Sequence, residues 1–326
     1  MNDVKKPFLL AVVGSTASGK SRMAVKLAQQ LEGEVVSCDS MQIYKRMNIG
    51  TAKPTMEEME GIPHHLIDFA EPDRSFSSAD YVTAARCAIE EISSRGKLPI
   101  LCGGTGLYLE RLLYGGGDAE EAEPNEEIRK KWQTYCEKNG NCALHDRLRE
   151  VDADSADAIH ENNVHRVIRA LEIYETTGIP KSEWDKRSKE KASDFAFCVV
   201  GLRYRSRDLL YDRINRRVDA MMEGGLLEET KSLMQEGVFL HNSTAAQAIG
   251  YKELLAYFEG EESLSDAVER LKTATRRYAK RQITWFSAKP YVHWVDADAN
   301  GRVRAEEDIL SDILAQVEDK RKDYEI

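Results

Sequence analysis

The sequence predicts an α/β fold: a mainly parallel sheet flanked by helices, with an all-helical domain inserted into it. Three observations lead there. Apolar, β-rich runs alternate with helical patterns through the first third of the chain. A further apolar run, Phe197–Leu202, returns after a long gap. The gap itself reads as helical, polar and free of strands. Such alternation builds parallel strands joined by crossover helices.

The elements follow in order. Strands are expected at Leu9–Val13, Val35–Cys38, Leu66–Phe69 and Leu98–Cys102, with helices at Ser21–Leu31 and Ala79–Ser94 between them. Residues 118–195 are the expected insertion, which opens on the acidic stretch Asp118–Glu127. The core is then 1–117 with 196–326, where Phe197–Leu202 rejoins the sheet and helices follow from Tyr204. A short strand is expected at Tyr291–Val295.

Composition narrows the class. The chain has 326 residues, 42% hydrophobic and 31% charged, which is globular and ample for a core. No run approaches the roughly 20 apolar residues of a membrane span. The short polar start, Met1–Lys6, leaves no room for a signal peptide, so a cytoplasmic protein is expected. Six cysteines, Cys38, Cys87, Cys102, Cys136, Cys142 and Cys198, form no C-x-x-C pair and read as reduced thiols rather than a zinc site. The net charge of −10 argues against nucleic acid only on average, because screening confines a charge to roughly 10 Å. Arg270–Lys289 holds seven cations and no acid. Lys272, Arg276, Arg277, Lys280 and Arg281 are spaced to share one helix face, with Leu264, Val268 and Leu271 on the other.

The strongest local signal is Gly14-Ser15-Thr16-Ala17-Ser18-Gly19-Lys20-Ser21, which fits G-x-x-x-x-G-K-[ST] between a strand and a helix. Its glycines let backbone N–H groups converge on one anion, and the helix adds its positive end. Lys20 supplies a mobile charge, and the Ser21 hydroxyl is the candidate ligand of a Mg²⁺. This makes the sheet P-loop NTPase-like and calls for a diphosphate or triphosphate, without saying which chemistry. A second loop, Gly103-Gly104-Thr105-Gly106, also follows a strand and should share the ligand-binding edge. The Thr105 hydroxyl is either a phosphate or nucleophile contact or a helix cap. Asp39, after the second strand, is either a proton acceptor or a cap. Asp68 is a similar case. His64 and His65 point opposite ways on a strand, so they do not share a metal. A kinase of a small metabolite would share the first loop, but it usually shows an arginine-bearing lid that is missing here.

The ordered set of motifs resembles the bacterial tRNA dimethylallyltransferases. It comprises Gly14–Ser21, Asp39–Tyr44, Thr51-Ala52-Lys53-Pro54, His64–Asp68, Gly103–Tyr108, Gln247–Lys252 and Lys280–Phe286, and it spans nearly the whole chain. Ser15 replaces a common proline, and His165 stands where arginine is frequent. The resemblance implies transfer of a dimethylallyl group from dimethylallyl diphosphate to the exocyclic amine of the adenosine just 3′ of the anticodon. It implies Mg²⁺ and no nucleoside triphosphate, and no protein partner is implied. Asp39 is then the base, Thr105 positions the reacting atoms, and Arg217 touches the diphosphate. The expected contacts to the anticodon stem-loop are Ser40, Met41, Gln42, Arg166, Arg169, Gln247, Gly250, Lys252, Arg277, Lys280, Arg281 and Trp285, with Gln42 and Gln247 reading base edges.

Overall fold

A computed structural model describes residues 6–115, 125–190, 192–241 and 244–325. Its centre is a six-stranded sheet in the order β3-β2-β4-β1-β5-β6, with every pairing parallel. The strands are β1 (Phe8–Gly14), β2 (Gly33–Ser37), β3 (His64–His65), β4 (Leu98–Gly103), β5 (Ala196–Arg203) and β6 (Val292–Asp296). β1 and β4 are buried along their whole length, which is why they read as continuous apolar runs rather than alternating ones. Helices α1 (Lys20–Gln30), α2 (Ser78–Ser94) and α3 (Gly106–Tyr114) follow strands in the first part. α2 starts at a reciprocal capping box between Ser77 and Asp80, which satisfies two of its free amide ends.

The third strand is not where the apolar run lies. It is His64–His65, and Leu66 and Asp68 both adopt left-handed backbone, with φ of 57° and 56°. Two such residues end an extended segment, and Phe69 is left exposed. Asp68 pairs with Lys53.

The chain divides into two compact units, Met1–Leu109 with Phe195–Ile326, and Glu110–Asp194. The expected boundary at residue 118, and most of the acidic stretch Asp118–Glu127, lie outside the described residues. The first unit continues after β5 with α8 (Arg207–Glu223), α9 (Leu226–Gln235), α10 (Val238–His241), α11 (Lys252–Phe258), α12 (Leu264–Ser287) and α13 (Glu306–Asp323). Two apolar clusters stand out among its described residues. One joins the sheet to α1, α8 and α13. The other gathers Ile43, Tyr44, Met47, Leu226, Tyr251 and Leu271. Among the described residues no helix is long and apolar enough to cross a membrane.

The second unit is helical: α4 (Glu126–Val151), α5 (Ala153–Ala158), α6 (Val164–Thr177) and α7 (Lys181–Glu190). Buried Glu172 on α6 accepts hydrogen bonds from Arg129 at 2.9 Å, Arg169 at 2.7 Å and the Asn125 backbone at 2.7 Å. Burial alone would raise its carboxyl, but these donors outweigh it and hold the group below its ordinary value. A depressed carboxylate stabilises the fold above its unfolded value, and that contribution is lost as pH falls through the folded one. Glu172→Gln is therefore expected to cost about 2 kcal/mol near neutral pH, since two guanidinium groups lose a charged acceptor. The difference from wild type should shrink as the pH drops below about 4. Thermal melts between neutral and acid pH check this, and a difference that stays constant with pH contradicts it.

Candidate active site

The phosphate loop runs from the end of β1 to the start of α1. Ser18 donates its N–H to the Ser15 carbonyl at 3.2 Å, and Lys20 Nζ donates to the same carbonyl at 3.3 Å. Arg213 on α8 donates to the Ala17 carbonyl at 3.0 Å and braces the loop from behind. One loop amide is not available to an anion: Thr16 N–H donates to Gln282 Oε1 at 2.8 Å. The Ser18 hydroxyl is buried and has no hydrogen-bond partner among the described residues.

Asp39 follows β2 on the same edge. Its Oδ1 accepts the N–H of Met41 at 2.9 Å and of Gln42 at 3.4 Å, so this oxygen ties a local turn. Among the described residues Oδ2 has no hydrogen bond, and Asp39 lines the main cavity. The turn is pinned across the edge, because Thr105 Oγ1 accepts the Ser40 N–H at 3.1 Å. Thr105 is thus a cap for the turn that carries Asp39, and it does not line the cavity wall.

That cavity is ≈ 270 Å³ and collects Lys20, Ser21, Asp39 and Arg217 around one space. Apolar walls come from Met41, Ile67, Val218, Met221 and Leu271. A second, more open cavity of ≈ 680 Å³ meets it at Lys20, Ser21 and Arg217. Burial pushes both Lys20 and Arg217 down from their ordinary values, while the negative charge of Asp39 pulls both back. Arg217 has no hydrogen bond or ion pair among the described residues. Lys20 and Arg217, both half-buried, share the negative charge of Asp39, and Arg217 also feels that of Glu58 on the wall of the second cavity. Cys102 also lines the cavity, but burial pushes its thiol up to about 11, so it stays neutral.

Ser40, Met41, Gln42, Gln247, Gly250, Lys252 and Arg281 also line the cavity. Several expected RNA contacts have other partners. Gln42 Nε2 donates to the carbonyls of Thr51 at 3.2 Å and Ala52 at 3.0 Å, so its donor is used within the protein. Trp285 packs edge-on against Gly106, where an added Cβ would lie 2.1 Å from its Nε1. That indole nitrogen is buried with no hydrogen bond among the described residues, while the residue as a whole is half-buried. Gly250 has φ of 116° and sits on the Gly50 backbone. Arg169 is bound to Glu172, whereas Arg166 is exposed. The five-cation face on α12 also divides. Lys272 pairs with Asp219 at 2.7 Å, and Arg276 donates to Asn215 at 2.6 Å, both on α8. Arg277, Lys280 and Arg281 remain exposed.

Gln282 is a site residue that pattern reading missed. It is buried, receives the Thr16 N–H, and donates to the Gly104 carbonyl at 3.1 Å. One side chain thus joins both glycine loops. A signal was present: Ala279, Gln282 and Phe286 share the buried stripe of α12, and a lone amide on such a stripe has to find partners.

A parallel sheet, a lysine-bearing phosphate loop and a basic cavity at its carboxyl edge define an enzyme of the P-loop NTPase-like α/β class. A family model described as IPP transferase matches residues 42–289. The chain is 50% identical over 296 residues to a tRNA dimethylallyltransferase of Bacillus subtilis, covering 91% of this chain and 92% of that one. It is 49% identical over 291 residues to that of Caldanaerobacter subterraneus, covering 89% and 92%. A crystal structure of a tRNA isopentenylpyrophosphate transferase from Staphylococcus epidermidis is 42% identical with a TM-score of 0.70, covering 97% and 100%. A eukaryotic dimethylallyltransferase, solved as snapshots of its action on tRNA, is 33% identical with a TM-score of 0.77, covering 89% and 74%. The chain belongs to the IPP transferase family.

Proposed function

We propose that this chain transfers the dimethylallyl group of dimethylallyl diphosphate to the exocyclic N6 amine of the adenosine 3′ of the anticodon in tRNA. The observation that carries the reading is Arg217: a half-buried guanidinium with no hydrogen bond or ion pair among the described residues, lining one cavity with Lys20 and the phosphate loop. Such a pair calls for a multiply charged anion. Beside it, Asp39 offers a carboxylate oxygen with no other hydrogen bond, and apolar walls suit a five-carbon allyl group.

In the reaction the C1–O bond of the allylic diphosphate breaks, and its electron pair leaves with the diphosphate. Lys20, Arg217 and the loop amides hold the charge that grows there. The N6 lone pair forms the new N–C1 bond, and Asp39 Oδ2 takes the N6 proton. Thr105 acts by holding the Asp39 turn. The exposed Ser21 hydroxyl on the cavity wall is a hard oxygen donor, which fits a Mg²⁺ keeping most of its waters. When bound, that ion would add positive charge beside the leaving diphosphate.

The test is incubation with labelled dimethylallyl diphosphate and, in turn, tRNA, AMP, ADP and buffer. Label is expected on tRNA alone, and label on AMP or ADP would make this an enzyme of free nucleotides.

The RNA side rests on Arg277, Lys280, Arg281 and Arg166. Each phosphate they neutralise releases counterion, so tRNA affinity should fall steeply with salt although the protein is acidic. Arg277→Ala combined with Lys280→Ala is expected to flatten the plot of log affinity against log salt by roughly 1.4–1.8 units. Affinity for dimethylallyl diphosphate should not change, since neither residue lines a cavity with Lys20. Anisotropy titrations at several salt concentrations measure both, and an unchanged slope would place the RNA elsewhere.

A further inference from the structure

One carboxylate that the mechanism leaves without a role gathers four donors. Glu229 on α9 accepts the backbone N–H groups of Asn48 at 3.1 Å, Ile49 at 2.9 Å and Gly50 at 3.1 Å. It also accepts the Tyr251 hydroxyl at 2.6 Å. Three successive amides converging on one anion form a nest, and here the protein supplies the anion itself. The loop cannot slide away from it. The Tyr251 ring lies against Gly50 so closely that a Cβ there would come within 2.4 Å.

The same loop runs straight into the cavity wall. Thr51 and Ala52 line the cavity, and their carbonyls accept Gln42 Nε2. Gln42 in turn donates its own N–H, together with that of Met41, to Asp39 Oδ1. An unbroken path therefore leads from Glu229 through residues 48–52 and Gln42 to the turn that presents Asp39.

We infer that Glu229 is a positioning residue for the transfer step: its charge fixes the 48–52 loop, the loop fixes Gln42, and Gln42 fixes the Asp39 turn. The inference rests on the function proposed above. It also gives Gln42 a place in orientation rather than in reading a base. A neutral amide cannot replace the carboxylate, because its NH₂ end would face amide donors.

The experiment compares wild type, Glu229→Gln, Glu229→Asp, Gln42→Met and the double variant Glu229→Gln with Gln42→Met. Glu229→Gln is expected to lower kcat about 10- to 100-fold, the scale of a small misplacement of a reacting group. Its Kd for dimethylallyl diphosphate should stay within about twofold, and Glu229→Asp should recover part of the rate. Gln42→Met should lower kcat with KM for tRNA little changed, and the double variant should fall no further than the worse single one, as for members of one path. Asp298→Asn is the control for stability alone. Asp298 is buried, accepts the N–H groups of Arg205 and Ser206, and does not line the cavity. Additive losses in the double variant, or a kcat for Glu229→Gln no lower than that of Asp298→Asn at equal melting temperature, would overturn the inference. If Glu229→Gln does not fold, amide exchange of Asn48, Ile49 and Gly50 in wild type decides: exchange at free-loop rates overturns it, and strong protection together with the Gln42→Met loss supports it. A wild type that labels no tRNA would instead sink the function itself.

Discussion

Asp39→Asn is expected to bind dimethylallyl diphosphate normally and to transfer its allyl group about 10²–10⁴-fold more slowly. Asparagine keeps an oxygen for the Met41 and Gln42 amides, so the turn at the end of β2 should persist. What it loses is the second oxygen, the one with no hydrogen bond among the described residues, which becomes an NH₂ that cannot take a proton. Phosphate-loop contacts do not involve this side chain, so ground-state affinity should stand. Equilibrium binding of the diphosphate and single-turnover transfer to tRNA separate the two effects. A preserved transfer rate with weakened binding would make Asp39 a metal or turn residue and move the base elsewhere.

Lys20→Ala is expected to lose about 3 kcal/mol of transition-state stabilisation, roughly 100-fold in kcat. The fold should survive, since among the described residues the ammonium's only hydrogen bond is a 3.3 Å contact to the Ser15 carbonyl. The pH profile gives a second readout. Burial pushes Lys20 below its ordinary value of 10.5, so in the free enzyme the charge disappears earlier on the alkaline side. The fall of kcat/KM at high pH should therefore begin below the usual lysine range, and Lys20→Ala should remove that limb. Near wild-type turnover in the variant at saturating substrate would refute the assignment.

Features that act through their own backbone were legible in the sequence. Gly14–Ser21 announces itself because the anion site is made of consecutive amides, and β1 and β4 do so because burial on both faces demands unbroken apolar runs. The third strand was not legible. His64–His65 is two residues long, and the more apolar Leu66–Phe69 is turned by left-handed backbone that no composition rule foresees. Roles set by distant partners were hidden for a different reason. Gln282 meets Thr16 across 266 positions, and Glu229 meets Ile49 across 180. Some cations expected on the RNA surface have partners within the chain itself, which spacing does not reveal. Arg169 pairs with Glu172, three residues on and buried. Lys272 and Arg276 read as a basic face until α8 supplies Asp219 and Asn215.

The insertion also dictates an order of assembly. β1 pairs with β4 on one side and with β5 on the other, and β5 begins only at Ala196. While the chain is being synthesised, β1 holds an open, wholly apolar edge until some 190 further residues have emerged, a span that includes the whole of Glu110–Asp194. At roughly 5–20 residues per second that exposure lasts on the order of ten seconds or more. The second unit has its own apolar cluster and its own buried carboxylate, so it can condense during that wait. The nascent sheet cannot, and it is the stage at which this polypeptide is most open to strand addition by a neighbour or to capture by a chaperone.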